Sequence, residues 1–196
     1  MLKPFTWGAL ALCLFAQAAQ SQESPGGPRA EVSLSNDTLE ARYIDSGRRV
    51  GVEERSRVSA AFFLSEERDI VLYGDLLFPI TFGWDRLDMS IGPRAYAALL
   101  DDENDDVLAL SAGAEARFVL DRRSRLAVAG SAFYAPDILT FGTADNLTDL
   151  SARLELGVAQ RVIVFGGMRW FEFDLIDGSG ERTLMEEIFV GVGYTF

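Results

Sequence analysis

Chemistry in this chain falls to carboxylates and guanidinium groups, because it holds no histidine and a single cysteine, Cys13. The charged residues to weigh are Glu40, Asp75, Glu115, Glu155 and Glu187, with Arg42, Arg57, Arg94, Arg117, Arg153 and Arg169. Two converging carboxyl groups with pKa values pushed apart could serve as general acid and base. Here, however, the acids alternate with arginines along and between segments, the pattern by which a narrow enclosure neutralises itself through ion pairs. Five acids against six arginines is close to balance. Structural pairing is therefore the reading, an ion-selective lining its alternative, and no catalytic residue is assigned.

A second cluster is the acidic run Asp101, Asp102, Glu103, Asn104, Asp105 and Asp106. Asp102, Asn104 and Asp106 have the spacing that opens a calcium loop, but Val107 stands where the glycine belongs and Gly113 where the bidentate glutamate belongs. A solvated hairpin tip fits better, so neither a metal nor any other cofactor is assigned. The net charge of −12 argues against nucleic acid as a partner, since phosphate binding needs clustered Lys and Arg.

The elements that carry these residues show a period of two. In LDMSIGPRAYAAL, Leu87, Met89, Ile91, Pro93, Ala95, Ala97 and Leu99 interleave with Asp88, Ser90, Gly92, Arg94, Tyr96 and Ala98. VLALSAGAEARFV, TDLSARLELGV and the terminal EEIFVGVGYTF repeat it, and RVSAAFFL, RDIVLYGDLLF, LAVAGSAFY, VIVFGGMRWFEFD, EVSLS and TLEARYI complete a set of about ten strands. Phase slips in GGMRWFEFD, where Arg169 and Glu172 cannot both face inward without a bulge near Trp170. Turn signals separate the segments: Asn36-Asp37, SEERD, DDENDD, APDILTFGTADN and DGSGERT toward one end, SGRRVGVEE, PITFGWDR, DRRS and AQ toward the other. Phe82, Trp84, Tyr134, Trp170, Phe171 and Tyr194 near strand ends suit a water–lipid boundary.

Residues 1–18, MLKPFTWGALALCLFAQA, read as a cleaved signal peptide: Lys3, an apolar run too short for the ~20 residues of a spanning helix, then small residues at Ala16 and Ala18. Residues 19–29 read as a short periplasmic segment and 30–196 as the folded domain. Loss of Cys13 with the leader leaves no disulfide to hold that domain.

Two barrels fit the alternation. A soluble one would present its polar face to water, dense in Lys, Glu, Asp and Thr; here the polar face is rich in Gly, Ala and Ser with one or two charges per strand, which suits a crowded lumen. Turned outward, Arg94, Arg117 and Arg153 would each cost ~2–4 kcal/mol near the bilayer midplane, against a typical fold stability of ~5–15 kcal/mol. The fold class is thus all-β, an antiparallel up-and-down transmembrane β-barrel of about ten strands, eight being the alternative, with both termini in the periplasm.

The last strand, with Phe196 preceded by apolar Tyr194, Val192 and Val190 at every second place, resembles the carboxy-terminal signal read by the outer-membrane assembly machinery. The segment from SAFYAPD through GGMRWFEFD, together with GPRAYAAL and GVGYTF, resembles the YfaZ family of bacterial outer-membrane proteins. That resemblance implies an outer-membrane barrel without an established activity, and carries over no catalytic residue. The expected partners are outer-membrane lipid, lipopolysaccharide and the assembly machinery, and the expected state is a monomer. Barrel enzymes of such membranes that use a histidine base are ruled out by its absence. The functional reading is a structural or closed passive barrel, with a small porin-like solute channel and a loop-based adhesion or ligand-binding barrel as alternatives. Any opening is expected to widen when Arg94, Arg117 or Arg153 is truncated.

Overall fold

In the computed structural model, which describes residues 27–65, 69–99, 106–142, 144–175 and 181–196, the alternating segments are strands. They are β1 (Arg29–Leu34), β2 (Thr38–Ser46), β3 (Arg57–Ser65), β4 (Ile70–Ile80), β5 (Leu87–Leu99), β6 (Val107–Asp121), β7 (Leu126–Ala135), β8 (Thr140–Gly142), β9 (Ala144–Ala159), β10 (Val162–Leu175) and β11 (Glu181–Thr195). All lie in one 11-stranded antiparallel sheet that closes on itself, because β1 pairs with both β2 and β11. The short β8 continues the line of β7 along β6, with Thr140–Gly142 opposite Val107–Ala109, while β9 pairs directly with β7. The barrel therefore has ten staves, not eight. Closure gives each stave a neighbour on both sides, which is how a sheet avoids an open edge in hydrocarbon.

The two faces separate as the alternation requires. Along β9, Leu150, Ala152, Leu154, Leu156 and Val158 face outward and are exposed, while Asp149 and Glu155 are buried inside. The terminal strand does the same: Ile188, Val190 and Val192 lie bare on the outside, and Phe189 is buried within. Glycine sets the packing where an aromatic crosses a neighbouring strand. A Cβ on Gly191 would come within 2.5 Å of the Phe165 ring, its cross-strand partner, so the missing side chain is what lets that ring lie flat on β11.

Three expectations are corrected. Arg169, Phe171 and Phe173 all face inward on β10 in unbroken alternation, so Glu172 falls on the outer phase and β10 itself needs no bulge. The register shift comes one residue later than expected, at Phe171/Glu172, and the extra residue lies on β11, where Met185 and Thr183 are the partners and Leu184 is left over. Phe171 is a core residue, not an interfacial one. The APDILTFGTADN segment is more ordered than a plain turn: a 3-10 turn at Asp137–Leu139 leads into β8, and the next strand starts at Ala144.

At the end that holds the termini, the β6–β7 turn is locked by Asp121, whose carboxylate accepts from the backbone N–H of Arg123 and Ser124 at 3.0 and 3.1 Å and from the Ser124 hydroxyl at 2.6 Å. That hydroxyl, and then the two amides, hold the Asp121 carboxyl below its ordinary pKa. Residues 1–18, most of 19–29, and Asp101 to Asp105 of the acidic run lie outside the described residues.

Candidate functional site

The lumen is layered. Toward the end away from the termini, Phe63, Val71, Tyr96, Val107, Phe133 and Leu147, with Phe171 and Phe173, fill the interior of β3 to β10 as an aromatic cap. Tyr96 stacks on Phe171 at 5.5 Å between ring centroids, and Phe173 meets Phe171 edge-on at 5.1 Å.

Directly beneath the cap lies an ion-pair network. Arg94, only 2% exposed, reaches Asp75 at 3.0 Å, Glu115 at 2.9 Å and Asp149 at 2.9 Å. Arg42 bridges the same Asp75 and Glu115 at 3.1 and 2.8 Å, and Arg57 donates to the second oxygen of Glu115. Arg169 joins Asp149 at 2.8 Å to Glu40 at 2.5 Å. The cap and the network are stitched together. Tyr73 donates to Glu40 at 2.6 Å and Tyr96 to Asp149 at 2.7 Å, while Arg94 lies over the Phe133 ring at 3.6 Å and Arg169 over Phe171 at 5.2 Å.

Nearer the termini is a second layer. Arg153 holds Glu31 and Glu155, both at 2.8 Å; Arg29 pairs with Glu31 at 3.0 Å; Arg117 pairs with Glu155 at 2.7 Å. A cavity of about 390 Å³ runs through both layers and is lined from all ten staves, from Arg29, Asp88 and Arg117 near the termini up to Tyr73 and Arg169. Its walls carry both signs of charge.

Of the residues expected inside, Glu40, Arg42, Arg57, Asp75, Arg94, Glu115 and Arg169 form the upper network and Arg117, Arg153 and Glu155 the lower layer. Glu187 stands apart, accepting from the Ser35 hydroxyl. Sequence reasoning did not single out Glu31, Arg29 or Asp149, nor the phenols of Tyr73 and Tyr96. Asp149 falls on the inward phase of TDLSARLELGV, but a period of two says nothing of which residue on another strand it meets. Tyr194 packs edge-on against Phe196 at 5.3 Å between centroids, and the Phe196 N–H donates to the Pro28 carbonyl at 2.9 Å, so the chain end is tied across the closing seam. The described residues contain no grouping of Asp, Glu, Cys and His able to hold a metal.

The profile of one family, described as YfaZ precursor, matches residues 29–196, from the first residue of β1 to the end of the chain. The chain belongs to the YfaZ family. Among solved structures, this family member is similar to a bacterial polysaccharide outer membrane secretin, at 16% identity over 84% of this chain and 57% of that one, with a TM-score of 0.51. It thus spans little more than half the length of that protein. Similarity to a KdgM porin (8% identity, 87% of this chain and 99% of that one, TM-score 0.43) and to a NanC porin (10% identity, 86% and 98%, TM-score 0.42) is weaker. At such identities the first likeness speaks for the barrel fold alone, and the other two carry no argument. No curated protein matches the sequence.

Proposed function

We propose that the chain is an integral outer-membrane barrel, monomeric and without catalytic activity, whose lumen is closed by its own side chains. The observation that carries this reading is the inside-out distribution of polarity. Leucine, valine, isoleucine and phenylalanine cover the outside of a closed sheet, while arginines and carboxylates are enclosed within it. A water-soluble barrel would reverse that arrangement. The leader-like first eighteen residues and the terminal strand ending on Phe196 support export and outer-membrane assembly, with bilayer lipid and lipopolysaccharide as the surroundings.

Closure is supported by the cap above and the ion pairs below it. Each arginine of the two layers is already paired with at least one carboxylate, so a permeating ion would have to displace it. A second reading, a narrow solute channel, draws on the 390 Å³ cavity with its charged walls. Folding into detergent tests the membrane reading. The mature protein is expected to run differently in denaturing gels with and without boiling, as barrels with complete backbone pairing do, and a water-soluble monomer obtained without detergent would overturn it.

A further inference from the structure

Every arginine of the two lumen layers faces a carboxylate, but on one part of the outer rim arginines gather without any. At the end that holds the termini, the turn 81–86 between β4 and β5 lies beside the turn 122–125 between β6 and β7. The Val119 N–H donates to the Arg86 carbonyl at 2.8 Å, and the Arg122 guanidinium donates to the Asp85 carbonyl at 2.9 Å. Arg86, Arg122 and Arg123 therefore share one corner of the rim, all three exposed. None pairs with a carboxylate among the described residues, and Arg122 has only that one carbonyl.

The two turns hold four arginines against two aspartates, since Arg125 belongs to them as well. Arg125 is tied down on the carbonyls of Ala159 and Gln160, and the Asp121 carboxylate is taken up by its own turn. Elsewhere the balance differs. On the β2–β3 turn, Arg48 and Arg49 pair with Glu54 and Asp45, and the described turn residues at the opposite end include Asp37, Asp69, Asp106 and Asp137 but no arginine. Below the basic corner the outer face is apolar: Leu87, Phe118 and Val128 form one cross-strand row, with Leu120 beside it and Phe82 and Trp84 bare in the turn above.

We infer that this corner is a binding site for an anionic glycerophospholipid, its phosphate held by Arg86, Arg122 and Arg123 and an acyl chain laid along Leu87, Phe118 and Val128. The inference rests on the membrane reading of the barrel with its termini in the periplasm, the side on which an outer membrane presents glycerophospholipid. Guanidinium groups crowded without counter-charge repel one another, and a phosphate accepts from their forks while cancelling that repulsion. A zwitterionic lipid brings an ammonium into the same corner and gains less. A free anion gains nothing from the apolar row, so charge selects the head and position selects a lipid.

The test uses the full mature barrel in non-ionic detergent, titrated with phosphatidylglycerol or with phosphatidylethanolamine of the same acyl chains and read by native mass spectrometry. Expected is saturable retention of one phosphatidylglycerol per barrel, ~10-fold tighter than phosphatidylethanolamine. The decisive variant is Arg86→Gln with Arg123→Gln, two exposed side chains that hold no other element in place. It should weaken retention ~20-fold, about 5-fold for each arginine near a membrane surface. Arg48→Gln with Arg55→Gln, the same change of charge on the β2–β3 turn, should leave retention within ~2-fold of wild type. Equal retention of the two lipids would overturn the inference. So would unchanged retention by the Arg86 and Arg123 variant, an equal loss in the Arg48 and Arg55 variant, or displacement of the lipid by glycerol phosphate, which has the charge and no chain. The boiling-dependent gel shift, read on every variant, reports separately on the barrel itself.

Discussion

Arg94 shows why a single side chain decides so much inside this lumen. Its guanidinium touches three carboxylates from three strands, of which Asp75 and Asp149 are fully withdrawn from solvent and Glu115 is half-buried. Removing one partner from such a cluster leaves uncompensated buried charge, which typically costs ~3–5 kcal/mol. Arg94→Met should therefore lower barrel stability by about that amount, read as a fall in the urea midpoint of the gel-shifting species. Arg94→Lys, which keeps the charge and loses the fork, should fall between the two. An unchanged midpoint for the methionine variant would mean the network is ornamental. Arginine is the only cation available, since the chain has no lysine beyond Lys3. Glycines give the matching steric prediction. Gly191→Val should unfold or misassemble the barrel because its Cβ would lie 2.5 Å from Phe165, whereas Gly166→Ala should leave the stability within ~0.5 kcal/mol of wild type. Which residues face inward was legible from period two; which inward residues meet was not. Asp75 and Asp149 come together on Arg94 from β4 and β9, and no pattern within a strand encodes that register.

Among the elements, the terminal strand carries the clearest division of labour. Phe196 makes one backbone bond to Pro28 and one ring contact with Tyr194, a small share of the closure between β1 and β11. Phe196→Ser is therefore expected to reduce the amount reaching the outer membrane more than it reduces the stability of barrel already folded. Equal membrane levels at low expression would assign Phe196 to packing alone. The strand pattern in the sequence located all ten staves because each buries one face and bares the other. It misplaced the irregularity on β10 because Glu172 was taken for a lumen residue. Near the strand end, a carboxylate on the outer phase no longer opposes the hydrocarbon midplane, and the constraint that makes alternation strict relaxes. The turn after Ala135 hid β8 for a different reason. Three residues are too few for a period to register, and its pairing with Val107–Ala109 is a tertiary fact.

For the whole molecule, the question is whether the lumen is shut. The sequence places the constriction at the arginines, so that truncating Arg94, Arg117 or Arg153 widens it. The structure adds a cap of aromatic and aliphatic side chains over the upper network, and this changes the expectation. Arg117 and Arg153 lie below it, and their truncation alone should leave conductance low, while Phe63→Ala combined with Phe173→Ala should raise it. The cap was not legible because its members converge only when ten strands close, and because taking Glu172 for a lumen residue put its neighbour Phe173 on the opposite phase. The most direct measurement of the closed-barrel reading is conductance of the purified wild type in planar bilayers. No large, steady conductance is expected, with at most small and weakly selective openings; large porin-like steps that survive removal of contaminating porins would contradict it and favour a solute channel.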